Sequence, residues 1–284
     1  GTTDTGGSTT EHDTDHTSTT TTETTSTDTT GETTSADTTA GETTSDDTTG
    51  STGEPGDVDV TLNFVVRVGD QDALCGQTYE GVGTGNATIE FLDIRFFVSN
   101  IRLVDDAGGE VPLAMENDGE WQLDGSVLLD FEDGSGSCSE NTTAATNTTV
   151  VGTAPAGTYT GVRFDVGLPF EQNHLNADVA DPPLNTTAMF WNWAAGYKFA
   201  KIDIQNDNPA PDNRWNFHLG SQACDNGDAG PTVPPDAECG RPGRPAIDLS
   251  GFDPLTGTVV LDMAAVYAGE DVGVELVDVL GDGV

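Results

Sequence analysis

Residues 58–68 read Val58-Asp-Val-Thr-Leu-Asn-Phe-Val-Val-Arg-Val68. Val58, Val60, Leu62, Phe64, Val66 and Val68 share one phase, while Asp59, Thr61, Asn63 and Arg67 share the other. Successive side chains of an extended chain point to opposite sides, so this alternation is a strand with one face buried and one wet. Residues 89–104 form a longer apolar run in which Ile89 and Phe91 hold one phase and Leu92, Ile94, Phe96 and Val98 the other. A phase change inside such a run predicts a bulge, or a bend between two strands. Shorter strands are predicted at 121–123, 127–131, 158–168, 199–204, 215–219, 258–263 and 272–277. Turn signals such as Asp105-Asp-Ala-Gly-Gly109 and Pro254-Leu-Thr-Gly257 separate most of them. No segment keeps three-four apolar spacing for three turns, and Met263 to Tyr267 offers one short helical turn at most. The expected fold class is all-β: an antiparallel β-sandwich, Ig-like or Greek-key, with a closed barrel as the alternative architecture.

Upstream of this region the composition changes completely. Residues 1–57 hold no Val, Leu, Ile, Met, Phe, Trp, Tyr, Cys, Lys or Arg, and 13 of them are acidic in a Thr/Ser/Gly background. Gly31-Glu-Thr-Thr-Ser-Ala-Asp-Thr-Thr-Ala40 is followed by the near-repeat Gly41-Glu-Thr-Thr-Ser-Asp-Asp-Thr-Thr-Gly50. With nothing to bury, 1–57 is expected to be a disordered, self-repelling acidic tether ahead of a single domain over 58–284. A polar tether of this kind is expected in an exported protein, periplasmic or a cell-surface lipoprotein, whose signal peptide and lipid-bearing cysteine lie upstream of Gly1. No apolar run is long enough to span a bilayer.

The 284 residues carry 49 Asp or Glu against 9 Lys or Arg, a formal charge of -40. The 36 acidic and 9 basic groups left after the tether keep the domain near -27. That much negative charge excludes a nucleic-acid binder, because phosphate backbones are held by clustered cations. It favours docking to a basic partner at rates that fall with salt.

Four cysteines, Cys75, Cys138, Cys224 and Cys239, fall in Gly-rich segments without a C-x-x-C pair. This argues against a zinc ribbon and for two disulfides formed in an oxidising compartment. Three connectivities exist; Cys224 with Cys239 is favoured because the Asp/Gly/Pro-rich loop between them has little apolar content to order it. Of the four histidines, His12 and His16 lie in the tether, which leaves His174 and His218 in the domain. Between them runs Met189-Phe-Trp-Asn-Trp-Ala-Ala-Gly-Tyr-Lys-Phe199, whose bland reading is aromatic core packing around a Gly turn. Asp225-Asn-Gly-Asp228 and Asn206-Asp-Asn208 offer hard oxygen ligands. They support an alternative reading as a calcium-stabilised surface or adhesion module, although neither fits a twelve-residue calcium loop. A hydrolase has no nucleophile elbow to rest on.

Together the motifs go further than any one of them. They run from the strand Ile94-Arg-Phe-Phe-Val-Ser-Asn-Ile-Arg-Leu103 through Gly167-Leu-Pro-Phe170 with Asn173-His174. Met189-x-Trp191-x-Trp193-x-x-Gly196-Tyr197-x-Phe199 follows, and then Phe217-His-Leu-Gly-Ser221 with Cys224. This order resembles the MbnP-like exported proteins, the four-cysteine partners of a di-haem enzyme of the MbnH type, over residues 58 to about 270. The resemblance implies a copper-binding protein, favouring Cu(I), with His174 and His218 as ligands. Met189 offers a thioether as a further donor, with core packing its favoured role. It also implies a tryptophan, from among Trp191, Trp193 and Trp215, oxidised to kynurenine by the di-haem partner. The chain would then be that enzyme's substrate and not itself a catalyst. Soft or borderline donors and neutral imidazoles suit monovalent copper. No side chain here has the potential to oxidise an indole, so the oxidant belongs to the partner's haem.

Overall fold

The computed structural model describes residues 56–139, 144–209 and 213–273. All but the last two residues of the expected tether, and most of the strand expected at 272–277, lie outside that range. In chain order the strands are β1 (Asp57–Val68), β2 (Gln71–Asp72), β3 (Thr78–Val82), β4 (Ala87–Asp105), β5 (Glu110–Pro112), β6 (Gln122–Leu123) and β7 (Ser126–Asp130). Then come β8 (Thr149–Pro155), β9 (Tyr159–Val166), β10 (Phe190–Asn192), β11 (Gly196–Asn206), β12 (Arg214–Gly220), β13 (Ala246–Ser250) and β14 (Thr258–Asp262). Two single-turn helices, α1 (Phe170–Asn173) and α2 (Met263–Val266), are the only α-helices among the described residues.

The strands form two sheets, as expected of an all-β sandwich. In the smaller, β1 is flanked by β14, β2 and β8; the larger is built around β4, which pairs with β3, β5, β7, β9 and β11. Among the described residues every ladder is antiparallel except β1 with β14, which is parallel in the register Phe64 with Val259. A parallel pair needs no tight turn, and β14 reaches β1 only after the chain has built most of the larger sheet.

The alternation read in β1 is the one that is buried: Val60, Leu62, Phe64, Val66 and Val68 lie in the main apolar cluster. Phe91, Ile94, Phe96, Ile202, Ile204 and Trp215 of the larger sheet join them there. Phe64 of β1 meets Phe164 of β9 edge to face at 5.8 Å, so the core sits between the sheets. Each such fully buried apolar side chain contributes about 1.5–3 kcal/mol.

The phase change in the 89–104 run is a bulge within one strand, not a break between two. Asp203 of β11 pairs with Asp93 while Ile204 pairs with Phe91, which leaves Leu92 as the extra residue. A second slip lies between Ser99 and Arg102, where Asn100 takes φ 54°. The first bulge fixes which residues of β4 face outward. Past it, Asp93, Arg95 and Phe97 point away from the sandwich core, and the candidate site is built on that outer face.

Candidate metal centre

Phe97 from β4 and Leu128 from β7 belong to a second apolar cluster with Tyr197, Phe199, Leu168, Leu184 and Met189. The chain between β9 and β11 therefore folds back over the outer face of the larger sheet and seals part of it. At its margin a cleft of about 430 Å³ is lined by Arg95, Asp130, Trp121 and residues 185–188.

His174 caps the end of α1. Its Nδ1 lies 2.9 Å from the Trp193 carbonyl, which can only accept, so Nδ1 carries the proton. Asn173 Nδ2 lies 3.1 Å from Nε2, and an amide can only donate there. The two contacts agree on one tautomer, with the lone pair on Nε2. Burial pushes the imidazole pKa down, opposed by the Trp193 carbonyl, and so favours the neutral ligand form. Asn173 ties this end together: it also donates to Ser221 Oγ at 3.2 Å and accepts from Tyr197 N at 2.9 Å. Gly196 makes that possible. It takes φ 82°, and a Cβ there would lie 2.6 Å from the Asn173 carbonyl oxygen.

His218 stands on β12 opposite Lys201. Its Nε2 is 2.7 Å from Asp203 Oδ1, so Nε2 carries a proton, and in the neutral ring the lone pair is on Nδ1. Burial alone would raise the Asp203 carboxyl, but hydrogen bonds from His218 and Lys201 outweigh it and hold the pKa below the usual range. Asp203 and Lys201 continue a charged row across the outer face. Lys201 pairs with Asp203 at 2.8 Å and with Asp93, which also takes Arg95. Asp130 is the cross-strand neighbour of Arg95. Glu132 lies beyond, fully buried: its Oε2 accepts from Gly134 N at 3.1 Å, while Oε1, 3.7 Å from Arg95 Nη1, has no hydrogen-bond partner.

Trp191 packs on the His218 side of this face, while the partners of His174 are Asn173, the Trp193 carbonyl, Cys239 and Phe170. The Trp191 ring meets His218 edge to face at 6.5 Å, and Lys198 Nζ lies 5.8 Å from the ring centroid. It also occupies the space a Cβ on Gly220 would need, within 2.3 Å. One residue further is Ser221, the partner of Asn173. At 39% exposure Trp191 is among the large apolar side chains open to solvent. Trp193 is partly buried and holds His174 through its carbonyl. Trp215 is 5% exposed and packs edge to face on Tyr267 in the main core. Met189 is fully buried in the second cluster.

A family model described as MbnP matches residues 57–278. The chain belongs to the MbnP family. Among solved structures it is similar to MbnP from Methylosinus trichosporium, with 30% identity and a TM-score of 0.65 over 76% of this chain and 79% of that one. No curated protein matches.

Both disulfides of this MbnP-family domain are formed, Cys75 with Cys138 and Cys224 with Cys239, the second being the pairing favoured by its loop. Sequence reasoning did not foresee that the latter lies against His174: Cys239 Sγ is 3.5 Å from Nε2. Ligand atoms of His174, Cys224 and Cys239 all lie within 4.8 Å of one another, the one such group of His, Cys, Asp or Glu among the described residues. Asp203 was missed as well, and its signal is indirect: only the β11–β12 register shows that an aspartate meets His218. At the calcium candidates, Asp225 Oδ1 accepts from Gly227 N, while Asn206 Nδ2 donates to the Val272 carbonyl.

Proposed function

We propose that this MbnP-family protein binds copper as Cu(I) through His174 Nε2 and His218 Nδ1, beside a tryptophan that a di-haem partner oxidises to kynurenine. The observation that carries the reading is Trp191, an indole open to solvent and packed on one of the two histidines. Trp191 is accordingly our choice over Trp193 and Trp215 as the oxidised residue, since a haem protein docking from outside needs an exposed indole. The donor types suit the metal: two imidazoles, each with one nitrogen fixed by an acceptor, His174 Nε2 giving up its contacts with Asn173 and Cys239 when it ligates. Copper would be the cargo. Trp193 and Asp203 act as positioning groups, because each holds a ring in one tautomer. Opening the indole to kynurenine takes oxidising equivalents from peroxide through the partner's haem and releases the ring carbon as formate.

The negative charge of the domain is complementary to a basic docking face on that partner. Two disulfides accord with an exported location, periplasmic or as a surface lipoprotein. The test is to incubate the full chain with the di-haem enzyme and peroxide and to map peptides across residues 186–198 and 214–220. Conversion at Trp191 supports the reading. Conversion at Trp193 or Trp215 alone, or none at all, contradicts it.

A further inference from the structure

The Cys224–Cys239 disulfide sits over the only nitrogen lone pair of His174. Cys239 Sγ lies 3.5 Å from Nε2. Around a tetrahedral ion, a nitrogen at about 2.0 Å and a thiolate sulfur at about 2.3 Å are themselves about 3.5 Å apart. The imidazole and one sulfur are already at ligand separation, and the second sulfur falls in the same 4.8 Å group. We propose that this disulfide is a redox gate over an alternative metal site: once reduced, Cys224, Cys239 and His174 Nε2 form a two-thiolate, one-imidazole centre for a soft or borderline ion. This goes beyond the copper reading and draws on the same lone pair, His174 Nε2, so the reduced centre and the copper site exclude each other.

Three observations support the gate. The neck of the Cys224–Cys239 loop is closed by backbone bonds that do not need the sulfurs. Gln222 N donates to the Arg241 carbonyl at 2.8 Å, Arg241 N to that of Gln222 at 3.0 Å, and Gly240 N to that of Ala223 at 2.9 Å. Breaking the disulfide therefore leaves both cysteines side by side. Access is also one-sided: Cys224 is partly exposed between exposed neighbours, while Cys239 is 4% exposed beside His174. Finally, Asn173, which donates to Nε2, keeps Ser221 Oγ as a partner when a metal takes its place.

The chemistry balances with a dithiol as reductant. Its thiolate attacks Cys224 Sγ, the sulfur–sulfur bond breaks, and Cys239 leaves as a thiolate beside His174. The second thiol of the reductant then displaces Cys224, so the dithiol becomes a disulfide and supplies two electrons. A divalent ion takes both thiolates, and any protons they carry go to solvent.

The experiment reduces the full chain with a dithiol in the absence of oxygen, removes the reductant and titrates with Co(II). Appearance of thiolate-to-metal charge-transfer absorption in the folded protein is expected. The band should persist in His218→Ala and in Cys75→Ser/Cys138→Ser, and disappear in Cys224→Ser/Cys239→Ser. Persistence in His218→Ala separates this centre from the copper site, which that substitution removes. As a check independent of variants, bound metal should protect Cys224 and Cys239, and not Cys75 or Cys138, from alkylation. A folded, reduced chain without the band, unprotected cysteines, or loss of the strand circular-dichroism signal on reduction would each overturn the proposal.

Discussion

Replacing Asp130 and Glu132 together by their amides, Asp130→Asn with Glu132→Gln, is expected to stabilise the domain above pH 7 and to change little near pH 4. Arg95 and Lys201 on the outer face are balanced by Asp93 and Asp203, to which they are paired. Asp130 and Glu132 are additional carboxyls with exposures of 2% and 0%. Burial, opposed in part by the Arg95 charge, raises each of them to about 7. In the unfolded chain they titrate near 4. Between those values the folded state holds protons that the unfolded state has released. Stability therefore falls as pH rises, by about 1.4 kcal/mol per unit for each group, and levels off above the folded values. Taken singly the windows amount to about 4 kcal/mol for Asp130 and about 3 for Glu132. Part of each penalty is the other's charge, so they do not add, and about 4 kcal/mol is expected for the pair. For a domain of this size that corresponds to a melting temperature about 10 °C higher for the amide variant at pH 8. Calorimetry of both proteins from pH 4 to 8 reads the difference. Parallel melting curves would refute the reasoning. A variant less stable at pH 8 would mean that the ionised carboxyls are needed to hold Arg95.

Three further outcomes follow from the same contacts. Gly220→Ala places a methyl group where the Trp191 ring now lies, so the indole must leave His218; tryptophan fluorescence should shift and conversion by the di-haem partner should fall, with a stability cost of about 1–3 kcal/mol. Cys75→Ser/Cys138→Ser opens a loop spanning a sequence separation of 63 and should lower unfolding free energy in denaturant titration by about 4 kcal/mol. Association with the partner should slow as ionic strength rises, because a domain this acidic is steered by charge; equal rates in stopped-flow at low and high salt would remove that role for the acidic surface.

The sandwich was legible because burial of one face imposes period two, and β1 carries that period almost without interruption. β4 was legible down to its first bulge, since shifting the apolar phase leaves a mark in the sequence. β3, β8 and β13 were not read: Ala246–Ser250 does alternate, with Ile247 and Leu249 turned to the core, but five residues with two apolar side chains are too short a pattern to stand out from a loop. The parallel β1–β14 pair was equally hidden, because register between distant segments leaves no local signature. At the site, sequence named the histidines and tryptophans through a resemblance between motifs. It did not show Asp203 under His218, which depends on the β11–β12 register, or the disulfide against His174, which joins Cys239 to a histidine 65 residues earlier.

The most direct test of the account is anaerobic Cu(I) titration of the full chain, after treatment with the di-haem partner and peroxide, against a chromophoric chelator. The intact protein should withdraw copper from the chelator, and His174→Ala and His218→Ala should each abolish the withdrawal while the disulfides and melting behaviour remain. Undiminished copper binding in both folded variants would contradict it.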